Sequence, residues 1–193
     1  MNDEKSIRSF LAVELPPEVL NEIIGIQGRL KKTLQGYISW VRPTGIHLTL
    51  KFFGNIAEVE IPNISQAVQN AIVNVKPFTL NVRRFGAFPD MKRPRVLWLG
   101  LDGDIDVLIQ LQKEMDKGFQ ECGFQKEERT FRPHLTLARV KEPKGVIGLA
   151  KIIEKSEDYK AGSLTVSSLT LFKSELTPKG AIYTKLALFA FGG

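Results

Sequence analysis

One tetrapeptide occurs twice in this chain, as His47-Leu48-Thr49-Leu50 and as His134-Leu135-Thr136-Leu137. Alternating polar and apolar residues are the pattern of a half-buried strand, in which residues i and i+2 share a face roughly 6.5 Å apart. Each copy therefore sets a histidine and a threonine on one face and two leucines on the other. The leucine faces require a core, and the His/Thr faces require a polar space. A chain of 193 residues is long enough for one full core or two small lobes that share such a space.

The surrounding sequence repeats as well. Ser9–Glu14 reads as a strand, and Pro16-Pro17 opens a helix whose apolar positions Val19, Leu20, Ile23, Ile24, Ile26 and Leu30 form a stripe. A short β-prone run at Ile38–Val41 and the turn Pro43-Thr44-Gly45 lead into a strand over Ile46–Phe53. A helix over Ile61–Val75 and a strand over Phe78–Phe85 follow. The second half reads Arg95–Leu101 strand, Asp104–Phe119 helix, Phe131–Val140 motif strand, Gly148–Ser156 helix and Leu164–Phe172 strand. A turn in Lys173–Gly180 precedes a last strand over Ile182–Phe191. The expectation is an α+β chain with an internal duplication, half-repeats 8–86 and 95–191, forming one two-lobed domain over 1–193. The segment Phe88–Pro94, rich in proline and charge, is the expected crossover.

The formal charge is +6 and the sequence pI about 9.4, which favours anionic partners such as RNA or nucleotides. No apolar run is long enough for a membrane span, and the polar start has no signal-peptide core. Cys122 is the only cysteine, which excludes an internal disulfide. The expected location is cytoplasmic, without membrane attachment, and the default state is a monomer.

The chain has two histidines in all, and each heads one copy of the repeat. Imidazole gives and takes protons near neutral pH. Two imidazoles facing one substrate serve the two ends of an in-line displacement, one activating the nucleophile and one protonating the leaving oxygen. Threonine hydroxyls beside them donate to phosphoryl oxygens. Two histidines without a carboxylate or cysteine at ligand spacing make a poor metal site, so neither a metal nor a cofactor is expected. The residues by themselves do not say which histidine is the acid.

The pair HLTL…HLTL resembles the two HxTx motifs of the 2H phosphoesterase superfamily, and within it the RNA 2′,3′-cyclic phosphodiesterases, formerly called 2′-5′ RNA ligases (LigT-like). Arg8–Val13, Trp40–Gly54, Phe88–Gly100, Phe131–Arg139 and Leu171–Tyr183 are similar to that family's segments in the same order. The resemblance implies a bilobal fold with two antiparallel sheets lining a V-shaped cleft. It implies metal-independent opening of an RNA 2′,3′-cyclic phosphate to a 2′-phosphomonoester. By position it makes His47 the proton donor, His134 the proton acceptor, and Thr49 and Thr136 the ligands of the phosphate oxygens.

Arg139 is a further phosphate-binding candidate under the same resemblance, able to stabilise a pentavalent transition state. Strict alternation puts it on the leucine side, so it reaches the cleft only through a twist, a bulge or an early strand end. Lys51 is expected to continue the His47 face. Arg93-Pro94-Arg95 is a candidate RNA-guiding loop, and Trp40, Phe53 and Phe88 are candidates for base stacking. Two other readings stay open: ligation of 2′,5′ ends as the reverse reaction, and a non-catalytic RNA or nucleotide binder.

Overall fold

The computed structural model describes residues 6–142, 146–178 and 180–192, and the backbone but not the side chain of Ile153. The chain is α+β. Its strands are β1 (Ser6–Val13), β2 (Ile38–Trp40), β3 (Leu48–Ala57), β4 (Phe78–Phe88), β5 (Val96–Gly103), β6 (His134–Val140), β7 (Lys160–Val166), β8 (Ser168–Thr177) and β9 (Gly180–Ala190). Its helices are α1 (Pro17–Thr33), α2 (Ile61–Ile72), α3 (Ile105–Glu121) and α4 (Leu149–Ile153).

Sequence chemistry explains the two long helices. In α1 a proline opens the first turn, Glu18 lies at the N-terminal end and Lys31 and Lys32 at the C-terminal end, each sign matching the helix dipole. The buried residues of α1 are Val19, Ile23, Ile26, Gln27 and Leu30, and those of α3 include Leu108, Gln112, Met115, Asp116 and Phe119. The two sets have the same spacing, and both contain polar members inside an apolar stripe.

All strand pairing is antiparallel, in the order β7-β4-β5-β6-β3-β1-β8-β9, with β2 also on β6. The motif strands β3 and β6 are central and meet at one pair, Leu48 opposite Leu135. The two expected sheets are thus joined at that single point. α1 and α4 cover the β7-β4-β5-β6 half, while α2 and α3 cover the β3-β1-β8-β9 half. Leu48, Leu135 and Leu137 are fully buried beneath the sheet.

Several sequence expectations change. The expected strand over Leu164–Phe172 is two strands, β7 and β8, which break at Ser167 and lie near opposite ends of the sheet. The expected turn over Lys173–Gly180 is strand as far as Thr177; Lys179 lies outside the described residues. Phe88–Pro94 does not cross between lobes, because β4 and β5 on either side of it pair with each other. β4, from the first half of the sequence, pairs with β5 and β7, whereas β8 from the second half pairs with β1. Each half of the sheet therefore draws on both halves of the chain. Among the described residues no helix is long and apolar enough to cross a membrane.

Candidate active site

The two motif strands carry the same irregularity. Opposite β1, Thr49 pairs with Ala12 and Lys51 with Leu11, which leaves Leu50 as an extra residue. Opposite β5, Thr136 pairs with Trp98 and Ala138 with Leu97, which leaves Leu137 extra. A bulge of this kind puts two successive residues on the same side and resets the alternation beyond it. Leu50 and Lys51 are accordingly both buried, as are Leu137 and Ala138, and the next residues, Phe52 and Arg139, emerge on the histidine face.

This reset brings Arg139 into a cavity of about 670 Å³ together with His47, Thr49, His134 and Thr136. The same reset removes Lys51 from it. Lys51 is 7 % exposed, and its ammonium donates to Asp116 Oδ1 on α3 at 2.6 Å and to the Gln125 carbonyl at 3.0 Å. The expectation that Lys51 continues the His47 face is therefore corrected. On the other motif strand, Gln27 of α1 donates from Nε2 to the carbonyls of Val41 and Leu137, at 2.9 and 3.0 Å.

The two imidazoles have different surroundings. Phe10 stacks on His47 with ring centroids 4.5 Å apart, and Tyr183 meets it edge-on at 5.3 Å. This apolar wall strips water from the ring and lowers the His47 pKa to about 4, against a smaller upward pull from its hydrogen bond to the Gly45 backbone. His134 hydrogen-bonds through Nδ1 to the Arg132 carbonyl at 2.6 Å. With the proton on Nδ1, its Nε2 is a free acceptor. Phe88 meets the His134 ring edge-on at 4.9 Å and is itself 5.1 Å from Trp98.

Among the described residues, those lining the cavity include two arginines, Arg8 and Arg139, and no aspartate or glutamate. Arg8 holds its guanidinium 4.4 Å from the centre of the Phe52 ring. Burial raises the Tyr183 phenol, and Arg139 and Arg8 both pull it back down, so both cations act at that hydroxyl. The charge distribution is that of an anion site. Among the described residues no group of three or more His, Cys, Asp and Glu gathers as metal ligands.

Of the other sequence candidates, Phe88 touches His134 but does not line the cavity, and Phe53 does neither. Phe53 packs into the core against Phe119 and Phe124, at 4.9 and 5.2 Å. Trp40 sits on β2 under Lys31, 5.5 Å away. Arg93 and Arg95 are exposed on the loop that leaves Phe88, and neither lines the cavity. Sequence reading missed Arg8, Phe10 and Tyr183 as site residues. The alternation of Arg8 with Phe10 on β1 was a signal, but which face of β1 meets the cleft is decided by its neighbours β3 and β8.

A sheet that turns two His-x-Thr pairs toward one cationic cavity is the architecture of a phosphoesterase of the two-histidine kind. The chain belongs to the 2′-5′ RNA ligase superfamily, whose family model matches residues 15–178. It is 37% identical over 183 residues to the RNA 2′,3′-cyclic phosphodiesterase of Methanothermobacter thermautotrophicus, covering 95% of this chain and 98% of that one. It is 32% identical over 192 residues to the protein of the same name from Aquifex aeolicus, covering 98% and 100%. The crystal structure of TT0787 of Thermus thermophilus superposes with a TM-score of 0.77 at 28% identity, over 96% of this chain and 98% of that one. Escherichia coli LigT complexed with 3′-AMP gives 0.76 at 25%, over 98% and 100%.

Proposed function

We propose that the chain hydrolyses RNA 2′,3′-cyclic phosphate ends to 2′-phosphomonoesters, with His47 as proton donor and His134 as proton acceptor. The observation that carries this reading is the convergence of both His-x-Thr pairs and Arg139 on one cavity, lined by no carboxylate among the described residues. The names of the relatives support the substrate.

In this mechanism His134 takes a proton from water through Nε2, and the resulting hydroxide attacks phosphorus. The bond from phosphorus to the 3′ oxygen breaks, and His47 delivers a proton to that oxygen. The products are a 2′-phosphate and a 3′-hydroxyl. Thr49 and Thr136 donate to the non-bridging oxygens, and Arg139 offsets the charge that grows in the pentavalent state. The wall around His47 leaves the free ring neutral at pH 7, so the donor role needs the substrate's anion to bring the proton onto it. The bound phosphodiester anion raises the His47 pKa and holds the proton in place until the 3′ oxygen takes it. Ligation of 2′,5′ ends would use the same groups with the roles exchanged.

The test is hydrolysis of a short RNA bearing a 2′,3′-cyclic phosphate, in EDTA, by wild type, His47→Ala and His134→Ala, with the product typed as 2′- or 3′-phosphate. The expected result is a 2′-phosphate from wild type and a large loss in both variants. Wild type that binds this RNA without cleaving it would sink the reading in favour of a binding module.

A further inference from the structure

The two motif strands differ at one place on the cavity face. Beyond its bulge β6 presents Arg139, whereas β3 presents Phe52, which is 46% exposed and carries no charge. The neighbouring strand supplies the missing cation. Arg8 of β1 extends over the Phe52 ring at 4.4 Å, so a guanidinium stands beyond each threonine. Because β3 and β6 run antiparallel through Leu48 and Leu135, the residues past Thr49 and those past Thr136 leave the centre in opposite directions. Arg139 and Arg8 therefore flank the histidines from two sides.

The chemistry at the centre does not use Arg8. The cyclic phosphate already has two hydroxyls, two imidazoles and Arg139. On β1, Arg8 lies two residues, roughly 6.5 Å, from Phe10, the ring that backs His47. Among the described residues neither Arg8 nor Arg139 forms an ion pair. The contact with the Phe52 ring restrains the Arg8 guanidinium, which reduces the entropy lost when an anion binds. With no carboxylate among the described lining residues, the complement of this flank is a second anion.

We infer that Arg8, braced on Phe52, binds the phosphodiester that precedes the terminal nucleotide, so that the site prefers oligonucleotide ends to free cyclic mononucleotides. This deepens the function proposed above and rests on it.

The experiment compares three substrates: adenosine 2′,3′-cyclic phosphate, the dinucleotide ApA with a 2′,3′-cyclic phosphate, and that dinucleotide with a neutral methylphosphonate as its internal linkage. The readout is the ratio of kcat/KM for the charged dinucleotide to that for the neutral one. A charge-assisted contact predicts a ratio of about tenfold in wild type. Arg8→Gln is expected to bring it close to one, and Arg8→Lys to keep most of it. A ratio that persists in Arg8→Gln overturns the inference, since the internal charge would then be read elsewhere. Wild type that cleaves the mononucleotide but ignores the internal charge removes this inference alone. Wild type inactive on all three removes the proposed function and this inference with it.

Discussion

Gln27 and Asp116 occupy equivalent positions on α1 and α3, and each anchors the bulge of a different motif strand from below. Gln27 follows Ile26 and precedes Leu30, while Asp116 follows Met115 and precedes Phe119, all of them buried. Gln27 binds the carbonyl of Leu137, the bulged residue of β6, and Asp116 binds the ammonium of Lys51, directly after the bulged Leu50 of β3. The buried polar residues of the two helices thus hold the irregularity that turns Arg139 and Phe52 toward the histidines.

Removing one partner of the Lys51–Asp116 pair leaves a charge inside the fold. Their side chains are 7% and 11% exposed, so Asp116→Ala is expected to cost about 3–5 kcal/mol, while the double variant Lys51→Met, Asp116→Leu recovers most of that. Urea denaturation of the two variants checks this. Equal destabilisation by single and double variants would contradict it.

Gln27→Leu leaves the Val41 and Leu137 carbonyls without their side-chain donor. The expected cost is about 1–3 kcal/mol of stability. A lower kcat on a cyclic phosphate should accompany it, because Arg139 lies two residues past Leu137. Denaturation midpoints and steady-state kinetics on the same preparation test both effects.

Arg139→Ala should lower kcat more than it raises KM, by about 10²-fold, if the guanidinium acts on charge that develops in the transition state. A change confined to KM would mean uniform binding of the phosphate instead.

The low pKa of His47 ties folding stability to pH. The buried form is the neutral imidazole, so between about pH 6.5 and 4 the unfolded chain binds more protons than the folded one. Stability is therefore retained above pH 6.5 and falls as the pH drops through 4, by about 3 kcal/mol in all from this group. Followed by urea unfolding across that range, the total loss of stability should be larger in wild type than in His47→Gln by about this amount.

Gly86 faces Trp98 across β4 and β5, and a methyl group there would overlap the indole ring. Trp98 touches Phe88, and Phe88 touches His134. Gly86→Ala is expected to displace this stack, cost about 1–3 kcal/mol and slow hydrolysis. An unchanged kcat would show that His134 does not depend on the stack.

The sequence by itself determined most of the helices and of the strands up to β6, that two strands carry His-x-Thr over a leucine face, and which family the chain belongs to. These features are local: the period of the side chains and the identity of the motif residues suffice to read them. Only the tertiary structure decided which strands are neighbours. A strand's pattern names its buried face but not its partner, and so Leu164–Phe172 read as one strand although β7 and β8 lie near opposite ends of the sheet. The same limit explains Lys51 and Arg139. Simple alternation puts Lys51 in the cleft and Arg139 in the core. The extra residue that each bulge takes up depends on the register with β1 or β5 and on a polar anchor from a distant helix, and that exchanges the two.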